Sequence, residues 1–219
     1  MFVGHYAAAF VLKGKEKNAS LGMLFLATQF VDILFFPLVV LGLEKLTFID
    51  RYTAVNDFKM EFPYTHGLLA SMLWAGLIYA LYYFVFAKKK ETKKRIALIM
   101  GLAVLSHWFA DLLVHTPDLP LIYGEPKVGL GLWNNKILTF ALEAILLAAG
   151  LWYYLKKTKP TSNIGKYIAI IFVVFLLLVN YLNLFVLPAN HNVIALTISA
   201  LASYFVLAAI AHYVDLKRI

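Results

Sequence analysis

Six stretches of about 20 predominantly apolar residues, separated by polar or turn-forming segments, divide this 219-residue chain. No other feature restricts its fold as much. In hydrocarbon every backbone N–H and C=O must find a partner inside the protein, which leaves helices and closed barrels. A core of ~30 Å takes about 20 residues at ~1.5 Å per residue. The runs lie at roughly 21–43, 66–87, 96–115, 137–155, 167–187 and 193–214. They predict an all-α polytopic membrane helix bundle of six transmembrane helices, as one membrane domain over 1–219, and no segment reads as a strand. The 62% hydrophobic content agrees, since soluble domains sit near half.

The N-terminal "MFVGHYAAAFVLKGKEK" has its basic residues after the apolar part, the reverse of a signal peptide. Residues 1–12 are too short to span. They form either an interfacial anchor or a half-helix that dips into the bundle.

Charge sets an expected orientation. Segments 13–17, 88–95, 156–166 and 215–218 hold fifteen of the twenty Lys and Arg, and six crossings put all four on one side. The positive-inside rule then places both termini in the cytoplasm, for a protein of the cell (inner) membrane. The run "KKKETKKR" (88–95) reads as a topology anchor. This accounts for the net charge of +8 without nucleic acid as a partner. With no cysteine, any metal site must use His, Asp, Glu or backbone oxygen.

Ionisable residues inside spans are costly and are functional candidates by default. Asp32, His107, Asp111 and Glu143 lie within spans, and His66 and His115 at the ends of theirs. All fall between the midplane and the outer surface, a shared depth that scattered accidents would not produce. His107 and Asp111, at i and i+4, share one helix face. Imidazole with carboxylate suits Zn²⁺, and also Fe²⁺ or Mn²⁺. Asp32 and His66 complete such a shell from other helices, and His5 joins if the N-terminal half-helix inserts. His115 reads as lying too high for the same tetrahedral centre. Asn180 and Asn183 read as interhelical hydrogen-bonding residues, and Ala195, Ser199 and Ser203 as a small-residue packing face. The loop 116–136, rich in Pro and Gly, is either a lid or a connector. Phosphate-loop, "HExxH" and "GxSxG" motifs are absent.

Four elements in order, "GHYAAA", "QFVDILF", "PYTHGLL" and "SHWFAD", resemble the YdjM-type membrane-bound metal-dependent hydrolases of bacteria and archaea. The likeness covers about the first 120 residues. It implies metal-site positions at His5, Asp32, His66, His107 and Asp111. The family's "PDxD"-like element is reduced here to Asp32, and its second His before "TH" is missing from "EFPYTH". His115 or Glu143 are the replacements at hand. The run "HWFADLLVH" is also similar to the His-xxx-Asp helix of zinc-dependent phospholipases C and single-strand nucleases.

The expectation is a membrane hydrolase of an ester or phosphoester, on a membrane lipid or lipid-linked substrate. Its divalent transition metal, Zn with Mn or Fe as alternatives, opens to the outer leaflet. Glu143 and His115 are candidates for general base or substrate contact. The rival reading is a transport or binding protein using the same residues as an ion site or proton relay. A haem held by His66, His107 or His115 is a third.

Overall fold

The computed structural model describes residues 1–86 and 91–219. Position 87, the expected end of the second span, and the first three residues of the basic run 88–95 lie outside them. Eight helices are described: α1 (Tyr6–Lys15), α2 (Leu21–Thr28), α3 (Phe30–Val40), α4 (Leu68–Leu81), α5 (Lys93–Val114), α6 (Lys136–Lys157), α7 (Asn163–Tyr181) and α8 (Val193–Asp215). α4 and α7 each continue through a π-helical turn, Tyr82–Phe86 and Leu182–Val186. Five helical segments, beginning with α4, are long and apolar enough to cross a membrane, and the α2–α3 pair makes a sixth if counted as one bent span. Several starts are set by side-chain caps. Ser20, Asn135, Ser162 and Asn192 each accept a hydrogen bond from a first-turn backbone N–H.

The first span is not one helix over 21–43. It bends by 48° between α2 and α3. The Thr28 hydroxyl donates back to the Phe25 carbonyl at 3.0 Å, a bond that bends helices. Gln29 leaves helical geometry, with φ −105° and ψ 9°, and its carboxamide donates to the Phe2 carbonyl at 3.2 Å. The apolar run continues unbroken through this point, so hydropathy cannot register it.

Strands form too, against the reading of none. β1 (Lys45–Phe48) pairs antiparallel with β2 (Phe58–Glu61), and β3 (Leu119–Ile122) with β4 (Glu125–Val128). Each hairpin folds one long inter-helix loop on itself and pairs backbone groups that would otherwise need other partners. "KLTF" and "FKME" alternate polar with apolar, a signal that the apolar spans overshadow, while "LPLI" and "EPKV" each carry a Pro and show none.

The N-terminal segment goes into the bundle rather than along its surface. α1 packs against α2, α5 and α6. Tyr6 stacks on Phe25 at 4.1 Å between ring centroids, and Phe10 meets Phe25 and Tyr154. The contact with α6 depends on Gly150, where a Cβ would lie 2.7 Å from the Ala7 carbonyl oxygen. Lys13 is buried, but its ammonium is compensated by Asp215 at 2.9 Å and by the Lys17 and Ala19 carbonyls.

This contact, with Arg95 to Glu16 at 3.0 Å and Lys159 N to the Ile219 carbonyl, gathers the described basic segments at one end of the bundle. The hairpins sit at the other. Two packing expectations do not hold. Ala195 and Ser199 face outward from α8, and Asn180 makes no hydrogen bond to another helix among the described residues.

Candidate metal centre

The bend brings Asp32 of α3 opposite α5, while the inserted N-terminal turn delivers His5 to the same point. His66 arrives just before α4. Four imidazoles then surround two carboxylates. His107 Nε2 lies 2.9 Å from Asp111 Oδ2, His115 Nε2 3.6 Å and His66 Nε2 3.9 Å from the same oxygen. His5 Nε2 is 3.2 Å from Asp111 Oδ1, and His66 Nε2 3.1 Å from Asp32 Oδ1. All five metal residues named from sequence converge, and His115 lies beside them, 3.6 Å from Asp111, without entering either group of ligand atoms. His5, Asp32 and His107, and again His66, His107 and Asp111, offer ligand atoms within 4.8 Å of one another. The cluster is buried, and it can hold a metal ion.

The other ring nitrogens decide the tautomers. His107 Nδ1 lies 2.7 Å from the Thr28 carbonyl, which only accepts, so Nδ1 carries the proton. This carbonyl belongs to the last turn of α2, where carbonyls have no partner within the helix. His115 Nδ1 donates likewise to Asp118 at 2.9 Å. His66 Nδ1 lies 2.7 Å from the Thr65 hydroxyl, whose own proton goes to Glu44 at 2.9 Å, so Thr65 accepts from His66. Burial pushes the Glu44 carboxyl above its usual range, with His66 and hydrogen bonds from Thr65 and Tyr64 opposing that rise.

Three rings therefore hold a proton on Nδ1 and leave Nε2 on the side of the carboxylates. His66 Nε2 is hydrogen-bonded to Asp32, while His107 Nε2 and His5 Nε2, 2.9 and 3.2 Å from Asp111 oxygens, lack the alignment of a hydrogen bond. A divalent ion bound by three of these groups would use nitrogens and oxygens that do not satisfy one another directly. The donor set, imidazole nitrogen and carboxylate oxygen, fits Zn²⁺. Backing of ligand imidazoles by carboxylate or carbonyl is the usual arrangement at such sites. Haem fits poorly, because His5 and His107 stack face to face at 3.7 Å and leave no slot for a macrocycle between them.

Glu143 stands beside this cluster in a different role from His115. Its Oε2 accepts from the backbone N–H of Gly4 at 2.8 Å and of Phe2 at 3.3 Å, holding the inserted turn that carries His5. The Met1 amino nitrogen lies 2.5 Å from Asp111 Oδ1. Tyr204 of α8 donates to Asp32 Oδ2 at 3.1 Å. Sequence reasoning missed Asp118, Glu44, Thr65 and Tyr204. Only Asp118 left a signal, three residues after His115 where the helix stops.

Asp118→Asn removes the carboxylate that fixes the His115 ring. With His115 beside the ligands and not among them, metal affinity is expected to fall by less than the roughly 10–100-fold that follows loss of a ligand's own partner, with the fold retained. Competition against a chromogenic zinc chelator measures this, and a fall within that range would place His115 inside the coordination shell.

A cavity of about 140 Å³ adjoins the cluster, reached by Asp32, His66, Asp111 and His115 on one wall and by α7 and α8 on the other. The β1–β2 hairpin closes over it through Phe58 and Met60. Comparison of the chain with protein-family models, with curated proteins and with solved structures finds no match in any of the three.

Proposed function

We propose that the protein is an integral-membrane, metal-dependent hydrolase acting on an ester or phosphoester. The observation that carries this reading is the convergence of ligand atoms in two groups, His5 with Asp32 and His107, and His66 with His107 and Asp111, each within 4.8 Å. His5, His66, His107, Asp32 and Asp111 are the proposed ligands of a divalent metal, zinc by donor type, with His115 at the rim. Bound there, the ion supplies Lewis acidity and a nucleophile competent at neutral pH.

The chain's own residues do the remaining work. Thr28, Asp118 and the Thr65–Glu44 pair hold three rings in the tautomer that leaves Nε2 free. Tyr204 fixes the orientation of Asp32. Glu143 positions His5 by anchoring its turn. The hairpin and the aromatic wall limit entry of bulk water, which strengthens electrostatic interactions inside. The motif order shared with YdjM-type hydrolases supports the same chemistry. The basic end lies in the cytoplasm on the charge rule, which turns the metal centre toward the outer leaflet.

The test is the metal content of protein purified without chelator. Wild type is expected to carry at least about one equivalent of Zn, Mn or Fe by elemental mass spectrometry, lost in His107→Ala and in Asp111→Ala. Wild type devoid of transition metal would refute the hydrolase and favour an ion site or proton relay.

A further inference from the structure

Asn180 of α7 is fully buried, yet neither its Nδ2 nor its Oδ1 has a hydrogen-bond partner. An unpaired carboxamide inside a hydrocarbon-depth helix is costly, and native proteins satisfy nearly all such groups. Asn180 lines the same cavity as Asp111 and His66. A molecule in that cavity would meet the cluster on one side and a donor–acceptor pair on the other.

The second observation is one turn further along. Asn183 also lines the cavity but is exposed on the surface of the bundle, inside the segment Asn163–Val186 that is long and apolar enough to cross a membrane. The cavity therefore reaches the flank of α7, not only the hairpin end. Here α7 widens into its π turn, closed by Leu187 N to the Leu182 carbonyl at 2.8 Å. Such turns recur at functional sites. Phe35, Phe36 and Leu184 make the neighbouring walls apolar. The volume of about 140 Å³ matches a polar head region of a few water molecules' size, not a whole amphiphile. Anything entering by this flank comes from lipid and leaves its chains outside.

We propose that Asn180 and Asn183 form a recognition site for a membrane glycerophospholipid that enters beside α7. Its ester or phosphate oxygens accept from the carboxamide nitrogens. A headgroup hydroxyl or ammonium donates to Oδ1 of Asn180. As a substrate site this rests on the hydrolase reading; as a lipid site it does not.

Native mass spectrometry of the full chain, released from detergent with dioleoylphosphatidylglycerol added, tests it. Wild type is expected to retain one lipid. Asn180→Leu is expected to weaken retention at least tenfold and Asn183→Leu severalfold, while Ser199→Leu, on the outward face of α8, changes nothing. Asn183 is exposed, so its variant still decides the matter if Asn180→Leu does not fold. Wild-type retention in both asparagine variants would overturn the proposal. So would displacement of the lipid by water-soluble glycerol phosphate, which would make the ligand a free phosphoester. Metal content of the same preparations reads the hydrolase separately. A metal-free wild type that loses its lipid on Asn180→Leu would leave this site standing without the enzyme.

Discussion

Asp111→Asn will abolish zinc-dependent stabilisation. In wild type, Asp111 Oδ2 lies 2.9 Å from His107 Nε2 and Oδ1 3.2 Å from His5 Nε2. An asparagine there has the same shape but lacks the negative charge that binds the ion. Zinc at about a hundred times its dissociation constant should raise wild-type stability by about 2.7 kcal/mol, and the variant by almost none. Thermal melts with and without zinc after chelator treatment measure both. A variant still stabilised by zinc would mean that Asp111 is not the central ligand.

Gly150→Leu should expel α1. The Cβ alone would sit 2.7 Å from the Ala7 carbonyl oxygen and 3.0 Å from its Cα, both backbone atoms with no rotamer to yield. Overpacking of this kind costs ~1–3 kcal/mol, or roughly 2–12 °C in melting temperature for a domain of this size. The functional effect exceeds the thermal one. α1 carries His5, and the turn before it hangs from Glu143, so withdrawal removes a ligand and opens the cavity together. Hydrogen exchange over residues 2–15 should lose most of its protection while α4 to α8 keep theirs. Unchanged protection would show that α6 can shift to accommodate the side chain.

How much of this the sequence disclosed follows from the range of each contact. His107 and Asp111 are four apart on one helix, so their meeting is a property of helical geometry and was legible. Asp32 and His66 share its depth, and depth follows from counting residues along a span. His5 was ambiguous because ten helical residues with alanines satisfy either a surface or a buried groove. What decides is Gly150, 143 positions after Ala7. Asp118 follows His115 by three residues, whereas Glu44 and Thr65 meet because the β1–β2 hairpin returns its loop on itself. The strands "KLTF" and "FKME" do alternate polar with apolar, but over four residues each, and alternation does not name the partner across a loop. The bend at Gln29 was hidden for a third reason, since its causes are a hydroxyl and a carboxamide set in an unbroken apolar run.

That bend has one more effect. The group that orients His107 is a main-chain carbonyl at Thr28, so the genetic code has no means of deleting it by altering one side chain. Exchanges at position 28 keep that carbonyl and act on His107 only through the bend that the Thr28 hydroxyl helps to set. Alanine scanning at this position will therefore read out the bend, not the acceptor itself. Control over His107 rests with the angle between α2 and α3, and a variant that straightens the pair would disarm the ring without touching it.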